Sequence, residues 1–339
     1  MSCWRIVAIV VLAMLATLPA RAQDKPELGK VRLAVGGKPA LFYLPLTVVE
    51  RLGLFREQGL DVEISDFAGG ARALQALIGG SADVVTGSFD HTIQMQAKGQ
   101  PVVGVVQLGR YPGYVLGVLA TKAQAYGGPK DLKGTKIGIT APGSGTHFMA
   151  QYVMVRNGLK RDDASFVGVG ASASAVAAVR RGEIDAIVNV DPVISLLESQ
   201  KLIKVVADTR TEDGTRAIFG GIYPAATLYA PAAFLEKNPR TVQALANAFV
   251  RGLKWMAGRS ADEIAAVMPE EYALGDKSLY IQSIKNSLPM YSPDGAFSRE
   301  GAEVAYHVLK EFDPEVAGAR IDVTATYTDA FVAKALASP

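Results

Sequence analysis

The stretch ARALQALIGGSADVVTGSFD, residues 71–90, returns 102 positions later as ASAVAAVRRGEIDAIVNVDP, residues 173–192. In one register Ala73 meets Ala175, Ala76 meets Ala178, Gly80 meets Gly182 and Asp83 meets Asp185. Each copy reads as a helix, a glycine that suits a helix C-cap, an aspartate at the turn and an apolar strand. The flanks repeat as well. KVRLAVGG (30–37), LPLTVVERLGLF (44–55) and LDVEISDF (60–67) precede the first copy as strand, helix and strand. KIGIT (136–140), FMAQYVMVRNGL (148–159) and ASFVGVG (164–170) precede the second. Strands alternating with amphipathic helices predict βαβ units and mostly parallel sheets, here in two similar α/β lobes.

GYVLGVLATK (113–122) reads as the end of the first copy and IYPAATLYA (222–230) as the end of the second. As crossing strands they would join the lobes by two adjacent connections, a hinge about which a cleft opens and closes. The expected division is residues 30–118 plus 226–339 for lobe 1 and 119–225 for lobe 2. The helical last hundred residues are expected to pack on lobe 1.

The chain has 339 residues, 49% of them hydrophobic, which is ample for a buried core. Arg5 precedes an apolar run over 6–20, and Ala20-Arg21-Ala22 gives a small-x-small cleavage site. This predicts a signal peptide, residues 1–22, cleaved near Ala22, and a periplasmic mature chain. Cys3, the single cysteine, lies ahead of the apolar run, so no lipid anchor is expected. After cleavage there would be no cysteine for a disulfide, a thiolate metal site or a nucleophile. The chain holds 35 basic and 33 acidic residues, and losing Arg5 and Arg21 leaves 33 of each. A mature chain with no net charge has no overall field to draw nucleic acid or an anionic membrane. Among His91, His147 and His307 there is no H-x-x-x-H or E-x-x-H spacing, so neither metal nor cofactor is expected.

In open α/β sheets ligands sit beyond the carboxyl ends of the strands. The loops placed there are Gly36-Gly37-Lys38-Pro39, Ala68-Gly69-Gly70-Ala71, Gly87-Ser88-Phe89-Asp90, Pro142-Gly143-Ser144-Gly145-Thr146 and Asn189-Val190-Asp191-Pro192. PGSGTH admits three readings. A P-loop needs a lysine after its second glycine, and a nucleophile elbow needs G-x-S-x-G; neither is met. What remains is a ligand cradle, with glycines allowing close backbone approach and free helix N–H groups favouring an anion. Ser144 or Thr146 would cap its own helix. Asp90 and Asp191 are candidates for a ligand ammonium or ring N–H, with Asp90 also a candidate cap. Lys38 and Arg110 are the cations nearest these loops. Phe42, Tyr43, Phe89 and Tyr111 could stack on a ring, although core packing is the favoured reading of each.

The runs PLTVVERLGLFREQGLDVEI, GGARALQALIGGSADVVTGS and DLKGTKIGITAPGSGTHFMAQYVMVRNGL resemble the substrate-binding proteins of ABC importers for nitrate, sulfonates and taurine. Binders of thiamine-pyrimidine precursors belong to the same wider group. The resemblance covers nearly the whole mature chain. It implies a monomeric, two-lobed periplasmic binding protein fold of type II character, without catalysis. It also implies delivery of a small solute to a membrane permease driven by an ATPase. Carried over, the ligand contacts would be Gly37 to Leu41 (with Lys38 and Ala40), Gly69 to Ala71, Ser88 to Asp90, and Ser144 to Thr146. Many relatives have tryptophan-glutamate-proline where this chain has Val190-Asp191-Pro192. Alternatives are a periplasmic sensor for another transport or signalling system and an enzyme of the thiamine-pyrimidine synthase type.

Overall fold

A computed structural model describes residues 25–337. The expected signal peptide lies outside the described residues.

Two five-stranded sheets organise the chain. In the first, β2 (Asp61–Phe67), β1 (Lys30–Gly36), β3 (Val84–Ser88), β10 (Ala226–Pro231) and β4 (Val102–Gln107) lie in that order. In the second the order is β7 (Ser165–Gly168), β6 (Lys136–Ile139), β8 (Ala186–Asn189), β5 (Val115–Leu119) and β9 (Ile203–Asp208). Each sheet has one reversed strand. β10 is antiparallel to β3 and β4, and β5 is antiparallel to β8 and β9. Each therefore enters the sheet of the lobe into which the chain is crossing. This corrects the boundary at 118/119: β5 begins the second sheet rather than ending the first lobe. β8 and β9 pair both its edges, and all five of its residues are buried, as in a strand whose two faces are covered.

The sequence repeat has a structural counterpart. α3 (Gly70–Ile78) and α6 (Ala173–Arg180) are followed by Gly80 and Gly182, both left-handed. The Asp83 carboxylate accepts from the Arg32 N–H at 2.8 Å, and that of Asp185 from the Lys136 N–H at 2.9 Å. Each aspartate thus pins its own strand beside the first parallel strand of its lobe, setting register.

The remaining helices cover the sheet faces. α1 (Leu44–Arg51), α2 (Leu54–Glu57) and α4 (Asp90–Ala97) belong to the first half. α5 (Gly145–Arg156), α7 (Val193–Ser199) and α8 (Glu212–Phe219) belong to the second. After β10 come α9 (Ala232–Lys237), α10 (Pro239–Ala257), α11 (Ala261–Ala266), α12 (Lys277–Ser287) and α13 (Arg299–Phe312). α10 buries Val242, Leu245, Ala246, Phe249 and Leu253 at helical spacing, and Phe249 meets Phe55 edge-on at 5.6 Å. Each of the valine, leucine and phenylalanine side chains contributes about 1.5–3 kcal/mol on burial. α13 departs from the expectation of packing on lobe 1 alone. It packs on α4 but also on α5 and α8, with Phe312 6.0 Å from Phe148. Among the described residues no helix is long and apolar enough to cross a membrane.

Candidate functional site

Between the sheets, at the carboxyl ends of β1, β3, β6 and β8, lies a small cavity. Ala40, Phe42, Tyr43, Gly70 and Ser88 line it from one side. Thr140, Ser144, Gly145, Thr146, Ala171 and Val190 line it from the other, and Tyr114 comes from the segment entering β5. No lining side chain is charged. Its volume for water-sized groups is about 20 Å³, room for one or two of them. Hollows of about 530 and 590 Å³ elsewhere are open surface grooves rimmed by charges such as Arg56, Arg240 and Arg180.

Two helices begin at this cavity, α3 at Gly70 and α5 at Gly145. First-turn N–H groups have no acceptor within their own helix, and they carry the positive end of its dipole. One of them is used to join the lobes: the Ala71 N–H donates to Ser144 Oγ at 3.0 Å. Ser144 occupies the N-cap position of α5 in extended conformation, yet its hydroxyl makes no bond to its own helix. Thr146 Oγ1 instead accepts the Thr140 N–H at 3.1 Å and bonds Thr140 Oγ1 at 2.8 Å. The expectation that Ser144 or Thr146 caps α5 is therefore corrected, since one hydroxyl closes the cleft and the other ties the helix start to β6. Ser144→Ala is expected to weaken ligand binding about five- to tenfold, from a net hydrogen bond of about 1–1.5 kcal/mol, read by calorimetry.

Gly143 adopts φ +84, a conformation that favours glycine. Its N–H donates to His147 Nδ1 at 3.0 Å, and its carbonyl accepts from His91 Nε2 of the opposite lobe at 3.2 Å. His91 Nδ1 then accepts from the Tyr229 hydroxyl at 2.9 Å. Burial lowers both imidazoles from 6.5 to about 4. Asp90, buried without a cation, rises from 3.8 to about 6. Below pH 6.5 the unfolded chain protonates two histidines that the fold keeps neutral, so stability falls as the pH drops towards 4. Asp90 opposes this between pH 6 and 3.8, because the fold holds its proton more tightly. Two groups against one leave about one proton, so these three are expected to cost ~1.4 kcal/mol per pH unit lost across that window, measurable by urea unfolding.

Aromatic rings form one wall. Phe42 and Tyr114 stack with centroids 5.6 Å apart and planes at 15°, and Phe42 meets Tyr43 edge-on at 4.8 Å. The Tyr114 hydroxyl lies 3.3 Å from Ser88 Oγ and against Gly145, where an added Cβ would sit 2.1 Å from it. Only glycine at 145 admits this approach. Tyr114 is not among the sequence candidates, because the segment carrying it reads as the end of lobe 1. Phe42 and Tyr43 carried a signal but read as core.

The structure brings Ala40, Gly70, Ser88, Ser144, Gly145 and Thr146 together around the cavity. Gly37, Gly69, Ala71 and Gly143 sit just behind, in contacts between the lobes. Gly37 faces Ala171, and Gly69 faces Ala141. The charged and amide candidates are turned elsewhere. Lys38 pairs with Glu50 at 2.6 Å. Asp90 accepts from Ser88 Oγ at 2.5 Å and from the Tyr223 hydroxyl, and it caps nothing. Asn189 donates to the Gly170 carbonyl and accepts the Val190 N–H. Asp191 accepts the Ser195 N–H and Oγ–H, both at 2.8 Å, and faces Arg210 at 3.4 Å. Leu41 is core, its N–H donating to the Asp191 carbonyl. Phe89 is core too, 5.6 Å from Phe297. Arg110 donates to the Pro289 carbonyl and lies over Tyr111, whose hydroxyl donates to Glu212. A buried polar group needs partners, and in these cases the fold supplies them, save for the buried Arg110 Nε. Among the described residues no group of three or more His, Cys, Asp and Glu side chains could hold a metal ion.

Comparison with known proteins agrees with this architecture. A solved structure from Bordetella bronchiseptica RB50 is 49% identical, covering 92% of this chain and 98% of that one, with a TM-score of 0.90. The alkanesulfonate-binding protein SsuA from Xanthomonas axonopodis pv. citri, bound to MOPS, is 18% identical over 90% of this chain and 99% of its own, with a TM-score of 0.70. YtlA of Bacillus subtilis (strain 168) is 24% identical over 86% of this chain and 85% of its own. The 4-amino-5-hydroxymethyl-2-methylpyrimidine phosphate synthase THI13 of Saccharomyces cerevisiae is 26% identical, over 48% of this chain and 46% of its own. Residues 43–261 match the family described as NMT1/THI5 like, and the chain belongs to that family.

Proposed function

We propose that this chain is the extracytoplasmic solute-binding component of an ABC importer, closing two lobes on a small anionic solute. The observation that carries the reading is the uncharged cavity at which one helix N-terminus from each lobe begins. First-turn amides beside a space lined by no cation or carboxylate favour a compact oxyanion, and because the cavity has room for only one or two water-sized groups the lobes would part slightly to admit it. The likeness to a protein named for alkanesulfonate binding supports a sulfonate- or nitrate-like headgroup. Taurine fits less well, because Asp90 and Asp191 are engaged and its ammonium would lack a partner. Segments 108–114 and 220–225 connect the two sheets and would serve as the hinge. The solute would pass to a permease and ATPase in the membrane.

A synthase reading is disfavoured: the yeast synthase match spans less than half of either chain, and Cys3 is the single cysteine. Calorimetry against nitrate, methanesulfonate, longer alkanesulfonates, taurine, aromatic carboxylates and pyrimidines tests the proposal. Binding of compact oxyanions, with taurine weaker than an alkanesulfonate of equal length, is the expected pattern. Binding of pyrimidines alone, or consumption of the ligand, would overturn it.

A further inference from the structure

One buried acid beside the cavity is not needed to bind an anion and stands in its way. Asp90 is fully buried, and apart from its own N–H at the start of α4 only hydroxyls face its carboxylate: Ser88 from its own loop, Tyr223 from the segment before β10, and Tyr114 one step beyond Ser88. The neighbouring His91 turns away to Tyr229 and Gly143, and no cation is in contact.

The hydrogens of this chain can be assigned. With Asp90 ionised, Ser88 must donate its single hydrogen to Asp90 and can only accept from Tyr114. The Tyr114 hydrogen is then spent, and its oxygen presents lone pairs to the cavity beside Gly145. An anion there meets an acceptor, with a buried like charge directly behind. Protonation of Asp90 reverses the order. Asp90 donates to Ser88, Ser88 donates to Tyr114, and the Tyr114 hydrogen is released towards the cavity. The change at the wall is from acceptor to donor.

We propose that the cleft takes up its anion together with one proton, which settles on Asp90 and reverses the Tyr114–Ser88–Asp90 chain so that Tyr114 donates to the ligand. This rests on the anion reading above. Burial already raises the Asp90 carboxyl to about 6, and a second negative charge within reach of Ser88 and Tyr114 raises it further. Proton and anion then bind cooperatively, each favouring the other by the same factor.

Calorimetry with nitrate and with methanesulfonate, neither of which titrates between about pH 5 and 8, tests this. Affinity is expected to fall by up to about tenfold per pH unit above about pH 6, with about one proton taken up per anion when heats are compared in two buffers of different ionisation enthalpy. Asp90→Asn flattens the profile. Tyr114→Phe loses affinity wherever the bound state carries the proton, and its slope levels off at a lower pH than that of the unsubstituted protein, which a purely structural loss would not do. A flat wild-type profile without proton uptake, or an Asp90→Asn variant that keeps the slope, overturns the proposal while leaving the anion site standing. Binding of neither anion at any pH overturns the anion reading itself and this proposal with it.

Discussion

Gly145→Ala is expected to weaken ligand binding by roughly five- to 150-fold, the range that overpacking of about 1–3 kcal/mol produces. The new Cβ would lie 2.1 Å from the Tyr114 hydroxyl oxygen, 2.7 Å from its ring carbon and 3.0 Å from Ser88 Oγ. Tyr114 has no room to withdraw. Its ring lies flat on Phe42, its hydroxyl bonds Ser88, and only 4% of it is exposed. Tyr114 leads into β5 and Gly145 opens α5, both in the second lobe, so the clash is present whether the cleft is open or closed. The melting temperature without ligand is therefore expected to fall together with affinity. Unchanged affinity would mean that Tyr114 does not meet Gly145 when ligand is bound.

Arg210→Met is expected to cost about 3 kcal/mol of stability, the low end for removing one partner of a buried ion cluster. The Arg210 guanidinium is 15% exposed. It reaches Asp208 at 2.6 Å, Glu198 at 3.0 Å and Asp191 at 3.4 Å, tying β9, α7 and the loop after β8 together. Burial works against its charge, but the three carboxylates outweigh burial and raise its pKa above the ordinary value. Without it Asp191, 3% exposed, is a buried carboxylate held only by Ser195. Glu198 and Asp208 are each 35% exposed and can turn to water, hence the modest figure. The Asp191 carbonyl also accepts the Leu41 N–H across the cleft, so weaker ligand binding should accompany the loss. Urea denaturation checks the first effect; a loss below about 1 kcal/mol would show that water already screens the cluster.

The architecture was legible because it is carried by spacing. Ala73, Gly80 and Asp83 recur as Ala175, Gly182 and Asp185, and those residues do the same work in both lobes. The loops at the strand ends were legible for the same reason, and Gly70, Ser88, Ser144, Gly145 and Thr146 meet where strand-end logic places them. Side-chain direction was not. Lys38, Asp90, Asn189 and Asp191 stand on the right loops but turn to partners far off in sequence or hidden in geometry, namely Glu50, Tyr223, Gly170 and Arg210. An apolar run such as 113–122 looks the same whether it ends one sheet or begins the next. Tyr114 was lost with that ambiguity, because its place in the cavity depends on β5 crossing into the second sheet.

The proposed anion sits between the lobes on the amides that open α3 and α5. A crystal structure grown with the tightest-binding anion of the calorimetric panel would locate it. Density for the anion is expected in the cavity, its oxygens within hydrogen-bond distance of the Gly70, Gly145 or Thr146 N–H groups and of the Tyr114 hydroxyl. Density in one of the outer grooves, with this cavity filled only by water, would contradict it.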